Sequence, residues 1–222
     1  FYDGQLRTTR IRRPELNETT YTYDGKHNVL TETHVPKPGS AEAPLTTTYT
    51  YHPVFNKPLT MTDPMGRVTD YTYDANGNLA RVESPQLTGG ARAVTAYTYT
   101  ARGLKQTETD PEGMVTRYTY DQATGDLLSE AKDYGRLNLT KNYTYTSRGD
   151  VQAETGPNGN TTTYQYDLMR RVTRSTLPAP FNYVTKYAYD EEGRLIREER
   201  QTGDSAHPWQ VFETSYTPMG EK

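Results

Sequence analysis

The stretch YTYDANGNL at residues 71–79 decides the fold, because close copies of it recur along the whole chain. In each copy two tyrosines stand two positions apart, an aspartate follows, and a short turn sequence leads to a hydrophobic residue. Tyrosine pairs of this kind occur at 21/23, 49/51, 71/73, 97/99, 118/120, 143/145, 164/166 and 187/189, with partial copies at Tyr2 and Tyr216. Successive second tyrosines are 21 to 28 residues apart. This regular spacing is typical of a repeat architecture.

Composition supports a folded β protein with an aromatic core. Leu, Ile, Val and Phe supply only 32 of 222 residues, below the fifth of the chain at which disorder becomes a serious interpretation. The net charge is only −3, however, and the chain contains 20 Tyr and 37 Thr. Both residue types favour the pleated, half-buried surface of a sheet, whereas disordered chains combine low hydrophobicity with high net charge.

The same totals argue against several functional classes. Lys and Arg are scattered along a near-neutral chain, which gives no basic patch for a nucleic acid. No cysteine is available for disulfide or thiolate chemistry, and no apolar stretch approaches the length of a membrane span. The chain begins and ends inside a repeat. We therefore interpret residues 1–222 as one array of about ten units, truncated at both ends within a repeat.

Each unit is predicted to form a β-hairpin. Tyrosines at i and i+2 of a strand share one face of the sheet, and the Asp, Asn and Gly that follow supply a tight turn. A second turn, with Pro at its second and Gly at its fourth position, stands between units at 63–66, 110–113 and 156–159. Longer loops are expected at 35–44, which contains three prolines, and at 85–92, 134–139 and 177–182, projecting from the same edge in alternate units. The predicted fold is all-β: tandem antiparallel hairpins in one curved sheet.

The predicted site residues are structural ones that pack neighbouring units and shape the turns. They are Tyr21, Tyr23, Tyr71, Tyr73, Asp74, Gly77, Tyr118, Tyr120, Asp121, Tyr164, Tyr166, Tyr187, Tyr189, Asp190 and Gly193. Replacing Tyr73 or Tyr120 by alanine is expected to destabilise the array through lost packing.

No catalytic, cofactor or metal site is predicted. The four histidines, His27, His34, His52 and His207, show no spacing typical of a metal site. Turn carboxylates from neighbouring units could together offer oxygen ligands to calcium, but an aspartate that caps its own turn is the simpler interpretation. No nucleophile, base and orienting group converge at any spacing, so we expect a protein that is not an enzyme.

The repeats at 71–79 and 187–195, with the Asp-Pro-x-Gly between units, resemble the YD repeat of Rhs proteins, of the BC components of insecticidal Tc toxins, and of teneurins. The resemblance extends over essentially all 222 residues. Several copies depart from it: the aspartate is replaced by His52, Thr100, Thr146 and Thr217, and the turn glycine is missing after Tyr166.

The resemblance implies a segment of a large hollow β-shell. In Rhs and BC proteins such a shell encloses a C-terminal toxin or effector for delivery, which implies a secreted or cell-surface bacterial protein. Its partners would be neighbouring repeats of a longer chain and the enclosed toxin. The alternative is an extracellular adhesion or carbohydrate-binding module of the teneurin kind, in which loop aromatics such as Tyr183 and Trp209 could contact glycans.

Overall fold

The computed structural model describes residues 1–86 and 90–217, and every regular element in this part is a β-strand. None of these residues forms a helix that is long and apolar enough to cross a membrane. The chain divides into two compact structural units, each made of several repeats: Phe1–Met114 and Val115–Lys222. From here on, "unit" means one of these two parts. In each unit every strand pairs with the next one along the chain, always antiparallel. The predicted all-β fold of consecutive hairpins is confirmed.

The first unit contains nine strands. They are β1 (Arg10–Arg12), β2 (Glu18–Tyr23), β3 (Val29–Val35), β4 (Leu45–Tyr51), β5 (Pro58–Thr62), β6 (Val68–Tyr73), β7 (Leu79–Glu83), β8 (Val94–Tyr99) and β9 (Lys105–Thr109). Before β1, Tyr2 and Thr8 form a single antiparallel bridge, so the partial copy at Tyr2 also begins a hairpin.

The second unit repeats this arrangement. Its strands are β10 (Val115–Tyr120), β11 (Leu127–Lys132), β12 (Leu139–Tyr145), β13 (Val151–Thr155), β14 (Thr161–Tyr166), β15 (Val172–Thr176), β16 (Val184–Tyr189), β17 (Leu195–Gln201) and β18 (Trp209–Glu213). The tyrosine pair ends the first strand of each complete hairpin in both units.

Connections alternate between two edges of each unit, because every strand reverses the direction of the one before. Turns that follow a tyrosine pair lie on one edge, which we call the YD edge. The other edge, the loop edge, carries tight turns such as 63–67 and 156–160 and long loops at 36–44, 84–93, 133–138, 177–183 and 202–208. Within each unit the long loops share an edge, as predicted, although residues 87–89 of the second loop lie outside the described part. The last two loops follow consecutive hairpins and therefore break the strict alternation.

The two faces of each sheet differ in chemistry. Repeat tyrosines are half-buried on one face, whereas the residue between them, Thr72 for example, is exposed on the other. On this threonine face hydroxyl groups pair across strands: Thr22–Thr31, Thr33–Thr46, Thr50–Thr60, Thr98–Thr107 and Thr155–Thr161. In the described residues only two apolar side chains are buried, Ala131 and Val184. By register both stand on the threonine face, because Ala131 pairs with Arg117 and Val184 pairs with Thr176.

Candidate functional site

Each YD hairpin carries a bulge at its second tyrosine. In the hairpin of residues 71–79, Thr72 pairs with Arg81 whereas Tyr73 pairs with Leu79, so the returning strand holds one extra residue. The same shift occurs at Tyr23, Tyr51, Tyr99, Tyr120, Tyr145, Tyr166 and Tyr189. A bulge interrupts the ladder and redirects the backbone around it. The carbonyl of the first residue of the returning strand is thereby available to the following hairpin.

The second tyrosine of the following hairpin binds this carbonyl. The hydroxyl of Tyr99 donates to the carbonyl of Leu79 at 2.9 Å, across 20 residues of sequence. Equivalent bonds join Tyr23 to Thr8, Tyr51 to Val29, Tyr73 to Pro58, Tyr145 to Leu127, Tyr166 to Val151, Tyr189 to Val172 and Tyr216 to Leu195, at 2.6–3.0 Å. We call this bond the tyrosine clamp. Each such bond contributes about 1 kcal/mol, and it fastens one hairpin to the one before.

The first tyrosine of each pair has a different environment. It stands opposite a glutamate in five hairpins, through the pairs Tyr21–Glu32, Tyr97–Glu108, Tyr118–Glu130, Tyr143–Glu154 and Tyr187–Glu198. In the other three it faces Met61, Val82 or Ser175. Burial raises the pKa of Tyr164, since a phenolate would lose its hydration there. These rings cover the sheet next to the clamp.

The turn aspartate binds backbone amides of its own turn. Oδ1 of Asp74 accepts hydrogen bonds from the amides of Asn76 and Asn78, at 2.8 Å each. The amide of Gly77 donates to the carbonyl of Asp74, and Gly77 has φ +79, which corresponds to a tight turn closed by a left-handed residue. Asp24, Asp121, Asp167 and Asp190 also accept amide bonds from their turns. The interpretation of these aspartates as turn caps is confirmed.

The Asp-Pro turns on the loop edge are built in the same way. Oδ1 of Asp63 accepts the amides of Met65 and Arg67, and the amide of Gly66 donates to the carbonyl of Asp63. The two turn types, which differ in sequence by the proline, therefore share one geometry.

The fifth residue of a YD turn connects that turn to the next. Arg171 donates from Nε to Oδ2 of Asp167 at 2.7 Å, and its Cζ lies 4.7 Å from the ring centroid of Tyr189. Its Nη1 also donates to the carbonyl of Asp190, the first residue of the following turn, at 3.3 Å. Arg7 makes the same three contacts with Asp3, Tyr23 and Asp24. An arginine here ties an aspartate, the next clamp tyrosine and the next turn together.

Other side chains continue this contact along the YD edge. Arg194 bonds Asp190 at 2.6 Å and lies over the ring of Tyr216, with 4.9 Å from Cζ to the centroid. In the first unit the Asn28 and Asn56 side chains exchange hydrogen bonds. Lys57 donates to the carbonyl of Gly77 at 2.7 Å. Neighbouring turns within each unit are thus bonded to each other directly.

Copies that depart from the pattern keep the turn by other means. Nδ1 of His52 accepts the amides of Val54 and Phe55, in place of an aspartate oxygen. The hydroxyl of Thr146 accepts the amides of Arg148 and Asp150. The hydrogen bonds that cap the turn are therefore retained in these two copies.

The missing glycine after Tyr166 is replaced by a strained arginine. Arg170 has φ +64, a left-handed conformation that costs a residue with a Cβ about 1–2 kcal/mol. Its Nε lies 2.6 Å from Oδ1 of Asp150, a carboxylate whose side chain is 8% exposed. This ion pair, with an aspartate from the preceding YD turn, offsets the strain and links the two turns.

Hydrogen bonds to the turn carboxylates lower their pKa values. The bond from the Asn78 side chain contributes most to the lowered pKa of Asp74, and the Arg171 amide contributes most for Asp167. For Asp190, burial opposes the shift, but bonds from Arg194 outweigh it and the pKa is lowered. A carboxylate that accepts several donors is stabilised in its charged form.

The arrangement does not suit a metal ion. No group of three or more histidine or carboxylate side chains that could hold one occurs within residues 1–86 and 90–217. In turns with Arg or Asn at the fifth position, both aspartate oxygens accept hydrogen bonds, as at Asp74. The histidines are separate: His27 closes a turn at φ +69, His34 contacts Thr19, His52 caps its turn, and His207 contacts Asp204.

Tyr183 and Trp209, the loop aromatics that the sequence offered for glycan contact, are both half-buried. Trp209 is half-buried in β18, with Nζ of Lys186 located 4.2 Å from its ring centroid. Tyr183 lies against Gly203, where an added Cβ would stand 2.8 Å from Cζ of Tyr183. In contrast Phe181, two residues before Tyr183, is 68% exposed. The aromatic side chain available at this loop is therefore Phe181.

The predicted residues thus fall into three positions of one repeated unit. Tyr23, Tyr73, Tyr166 and Tyr189 donate clamp bonds, and Tyr120 occupies the same bulge position. Tyr21, Tyr71, Tyr118, Tyr164 and Tyr187 are the first tyrosines, and Asp74, Gly77, Asp121, Asp190 and Gly193 shape YD turns. Sequence reasoning missed the bulge and the fifth turn residue. The recurrence of Arg or Asn four positions after Asp3, Asp24, Asp63, Asp74, Asp167 and Asp190 was the available signal.

Solved structures share this fold. The crystal structure of TcdB2-TccC3 without its hypervariable C-terminal region matches with a TM-score of 0.74 at 19% identity, over 92% of this chain and 12% of that chain. TcdB2-TccC3 itself gives 0.74 at 19% identity, over 90% and 12%. The Tc holotoxin pore of Photorhabdus luminescens, with a substitution in TccC3, gives 0.71 at 18% identity, over 89% and 12%. This chain therefore spans about an eighth of the chains that it matches.

Sequence comparisons match a smaller part of the chain than the structural comparisons do. Comparison with curated proteins produced no significant match. The family model named RHS Repeat matches residues 54–88 and 145–181, one stretch from each unit. Each stretch includes most of a turn, its returning strand and both strands of the next hairpin. Sequences that match the RHS Repeat model therefore occur in both units of this chain, within a fold that the TcdB2-TccC3 structures share.

Proposed function

We propose that this chain is a structural wall segment of a YD-repeat shell that encloses a C-terminal toxin or effector for delivery by a secreted bacterial protein. The observation that carries the proposal is the tyrosine clamp, which recurs at eight of the second tyrosines. Strand pairing alone joins hairpins along the ladder. The clamp adds a side-chain bond at the point where a bulge opens that ladder, which suits a continuous wall.

The solved structures that share this fold support the proposal that the shell encloses a partner. One matching structure is described as TcdB2-TccC3 without a hypervariable C-terminal region, so in that protein a variable segment accompanies the part that shares this fold. We extend the same organisation to the parent of this chain. Its partners would be neighbouring repeats and the enclosed segment, and its site of action would be outside the producing cell.

The proposed role is not catalytic. The aspartates of the YD turns are engaged in capping, and arginines such as Arg171 and Arg194 are held by aspartate and tyrosine. The threonine face presents paired hydroxyls together with charged side chains, since Arg81 pairs with Thr72 and Arg197 pairs with Ala188. A surface of this kind can lie beside an unfolded guest without the strong apolar contacts that would trap it.

The test compares the mass of the full-length parent under native and denaturing conditions. A C-terminal piece that is cut from the chain, remains with it in native conditions, and resists added protease supports the shell. An uncut chain whose C-terminal region is digested as fast as a free peptide contradicts it. Extracellular adhesion or carbohydrate binding is the second candidate. The observation that favours it is an uncharged recess between turn 156–160 and loop 177–183, lined by Asn160, Thr163, Thr176 and Asn182 among others.

A further inference from the structure

The chain contains two Asn-Gly dipeptides, Asn76-Gly77 and Asn158-Gly159. Each occupies the third and fourth positions of a tight turn in which the glycine has a positive φ, +79 at Gly77 and +76 at Gly159. Asparagine loses its side-chain amide most readily before glycine, because glycine has no side chain to hinder attack by its backbone nitrogen. We propose that Asn158 is a site of spontaneous deamidation in the folded protein and that Asn76 is protected from the same reaction.

The reaction needs only the protein and water. The backbone nitrogen of Gly159 loses its proton and attacks Cγ of Asn158, so that a new C–N bond closes a five-membered succinimide. The bond between Cγ and the side-chain nitrogen breaks, and ammonia leaves. Water then opens the ring, which gives aspartate when the bond to Cγ is cleaved and isoaspartate when the bond to the backbone carbonyl carbon is cleaved.

The attacking nitrogen is held by a hydrogen bond in both folded turns. The amide of Gly159 donates to the carbonyl of Gly156 at 2.9 Å, and the amide of Gly77 makes the same bond to Asp74 at 3.0 Å. Each turn must therefore open locally before its nitrogen can reach Cγ. The rate at each site depends on the free energy of this opening.

A carboxylate cap stabilises the first turn and is missing from the second. Oδ1 of Asp74 accepts the amides of Asn76 and Asn78, at 2.8 Å each. Gly156 stands at the same turn position as Asp74 and has no side chain that could accept the amide of Asn158. Opening the second turn therefore breaks fewer hydrogen bonds.

The surroundings of the two glycines differ in the same sense. Gly77 is buried, and a Cβ there would stand 2.9 Å from the ring of Phe55. This ring limits the backbone movement that a succinimide at Asn76 requires. Asn158 and Gly159 are exposed, and a Cβ at Gly159 would meet nothing within 4 Å. The turn at 156–160 can move, and water can reach it.

The related turns of the loop edge lack an asparagine at this position. The turns at 63–66 and 110–113 have Met65 and Glu112 there, and both begin with an aspartate whose Oδ1 accepts the amide of the fifth residue. The turn at 156–159 thus combines a susceptible dipeptide with the loss of the cap.

Deamidation of Asn158 would alter the hairpin of β13 and β14. Either product adds one negative charge to a chain whose formal net charge is −3. Isoaspartate also adds one carbon to the backbone of the turn, next to Thr155 and Thr161, whose hydroxyls are 2.8 Å apart. The aspartate product keeps the backbone unchanged.

The experiment follows both sites in the intact protein during incubation in mildly alkaline buffer. Peptide mass spectrometry measures the replacement of the amide by a carboxyl group, and labelling by an isoaspartyl methyltransferase identifies isoaspartate. Asn158 should react roughly tenfold faster than Asn76 in the folded protein. In urea the two rates should converge, because both sites are then unfolded Asn-Gly sequences.

Gly156→Asp tests the role of the missing cap. The φ of Gly156 lies outside the left-handed region, and a Cβ there would meet only the carbonyl oxygen of Asn160, at 3.8 Å. The variant should therefore fold normally and slow the reaction at Asn158 about fivefold. Asn158→Gln is the control and should abolish the product at this peptide, since closure of a six-membered ring is much slower.

Three results would overturn the proposal: no product at Asn158 in the folded protein, a rate at Asn76 equal to or above that at Asn158, or an unchanged rate in Gly156→Asp. Circular dichroism should show that each variant keeps the sheet. This inference is independent of encapsulation and of carbohydrate binding, so it does not depend on the mass experiment on the parent.

Discussion

Arg171 lies over the ring of Tyr189, with its Cζ 4.7 Å from the ring centroid, although the two residues belong to different hairpins. The same guanidinium is bonded to Asp167 in its own turn. One side chain therefore couples the geometry of a turn to the ring that clamps the next hairpin. Arg7 and Arg194 make the same contact with Tyr23 and Tyr216. We therefore interpret this arginine–tyrosine contact as a recurring feature of the repeat.

Arg171→Lys should lower the free energy of unfolding by about 1 kcal/mol. Lysine keeps the charge but loses the planar stacking and the forked donors of arginine. For a chain of this size the expected change in Tm is about 2–4 °C. The matched control is Arg67→Lys: Arg67 makes the same bond to Asp63 at 2.6 Å in a turn on the opposite edge. Equal losses in both variants, measured by thermal unfolding, would show that stacking on Tyr189 contributes nothing.

The two tyrosines of a pair should respond differently to loss of the hydroxyl. Tyr166→Phe removes the clamp bond to the carbonyl of Val151, at 2.8 Å, and should cost about 1 kcal/mol because that carbonyl loses its partner. Tyr164→Phe keeps the ring on the same face without breaking a clamp, and should change stability by less than about 0.5 kcal/mol. Urea denaturation of both variants provides the measurement. A larger loss for Tyr164→Phe would contradict the assignment of the second tyrosine as the clamp.

Periodicity was sufficient to predict the hairpins, the shared edge of the long loops and the capping role of the aspartates. Alternation of tyrosine with threonine places residues such as Tyr71 and Thr72 on opposite faces without any tertiary information. The clamp could not be predicted, because it depends on a bulge that shifts the register by one residue and on the carbonyl of another hairpin. Every residue has a backbone carbonyl, so the sequence does not indicate which carbonyl accepts the clamp bond. The stability of the left-handed Arg170 likewise depends on Asp150, twenty positions away.

Replacing two glycines by alanine, one at a time, should separate the free-energy cost of backbone strain from the cost of a steric contact. Gly66 and Gly77 have nearly the same φ, +77 and +79, in turns of the same geometry. A Cβ at Gly66 would meet nothing within 4 Å, whereas at Gly77 it would stand 2.9 Å from the ring of Phe55. Gly66→Ala should therefore cost about 1 kcal/mol from strain alone, and Gly77→Ala should cost more.

The difference between the two losses reports the contact between Phe55 and the neighbouring turn. Phe55→Ala supplies the check, because in that background the two glycine substitutions should become equally costly. If Gly77→Ala remains the more damaging change without Phe55, the contact is not the cause.

Stability should be greatest on a plateau between about pH 4 and pH 10 and should fall on both sides. Turn aspartates such as Asp74 and Asp167 have lowered pKa values in the folded state, so their contribution is present above the unfolded-state pKa and is lost as pH falls through the folded-state pKa. Tyrosines such as Tyr166 have pKa values raised by burial. The folded chain therefore holds its phenol protons more tightly, and this contribution is lost as pH rises through the folded-state pKa.

Substitution can show which carboxylates cause the loss of stability at acid pH. Asp167→Asn should lower stability at pH 7 and reduce the loss of stability below about pH 4, because an amide does not titrate there. Glu191→Gln is the control: Glu191 is exposed at a turn tip, and the variant should reproduce the wild-type profile. Denaturant unfolding at each pH gives both curves. Parallel acid limbs for the wild type and Asp167→Asn would mean that the turn caps do not control acid unfolding.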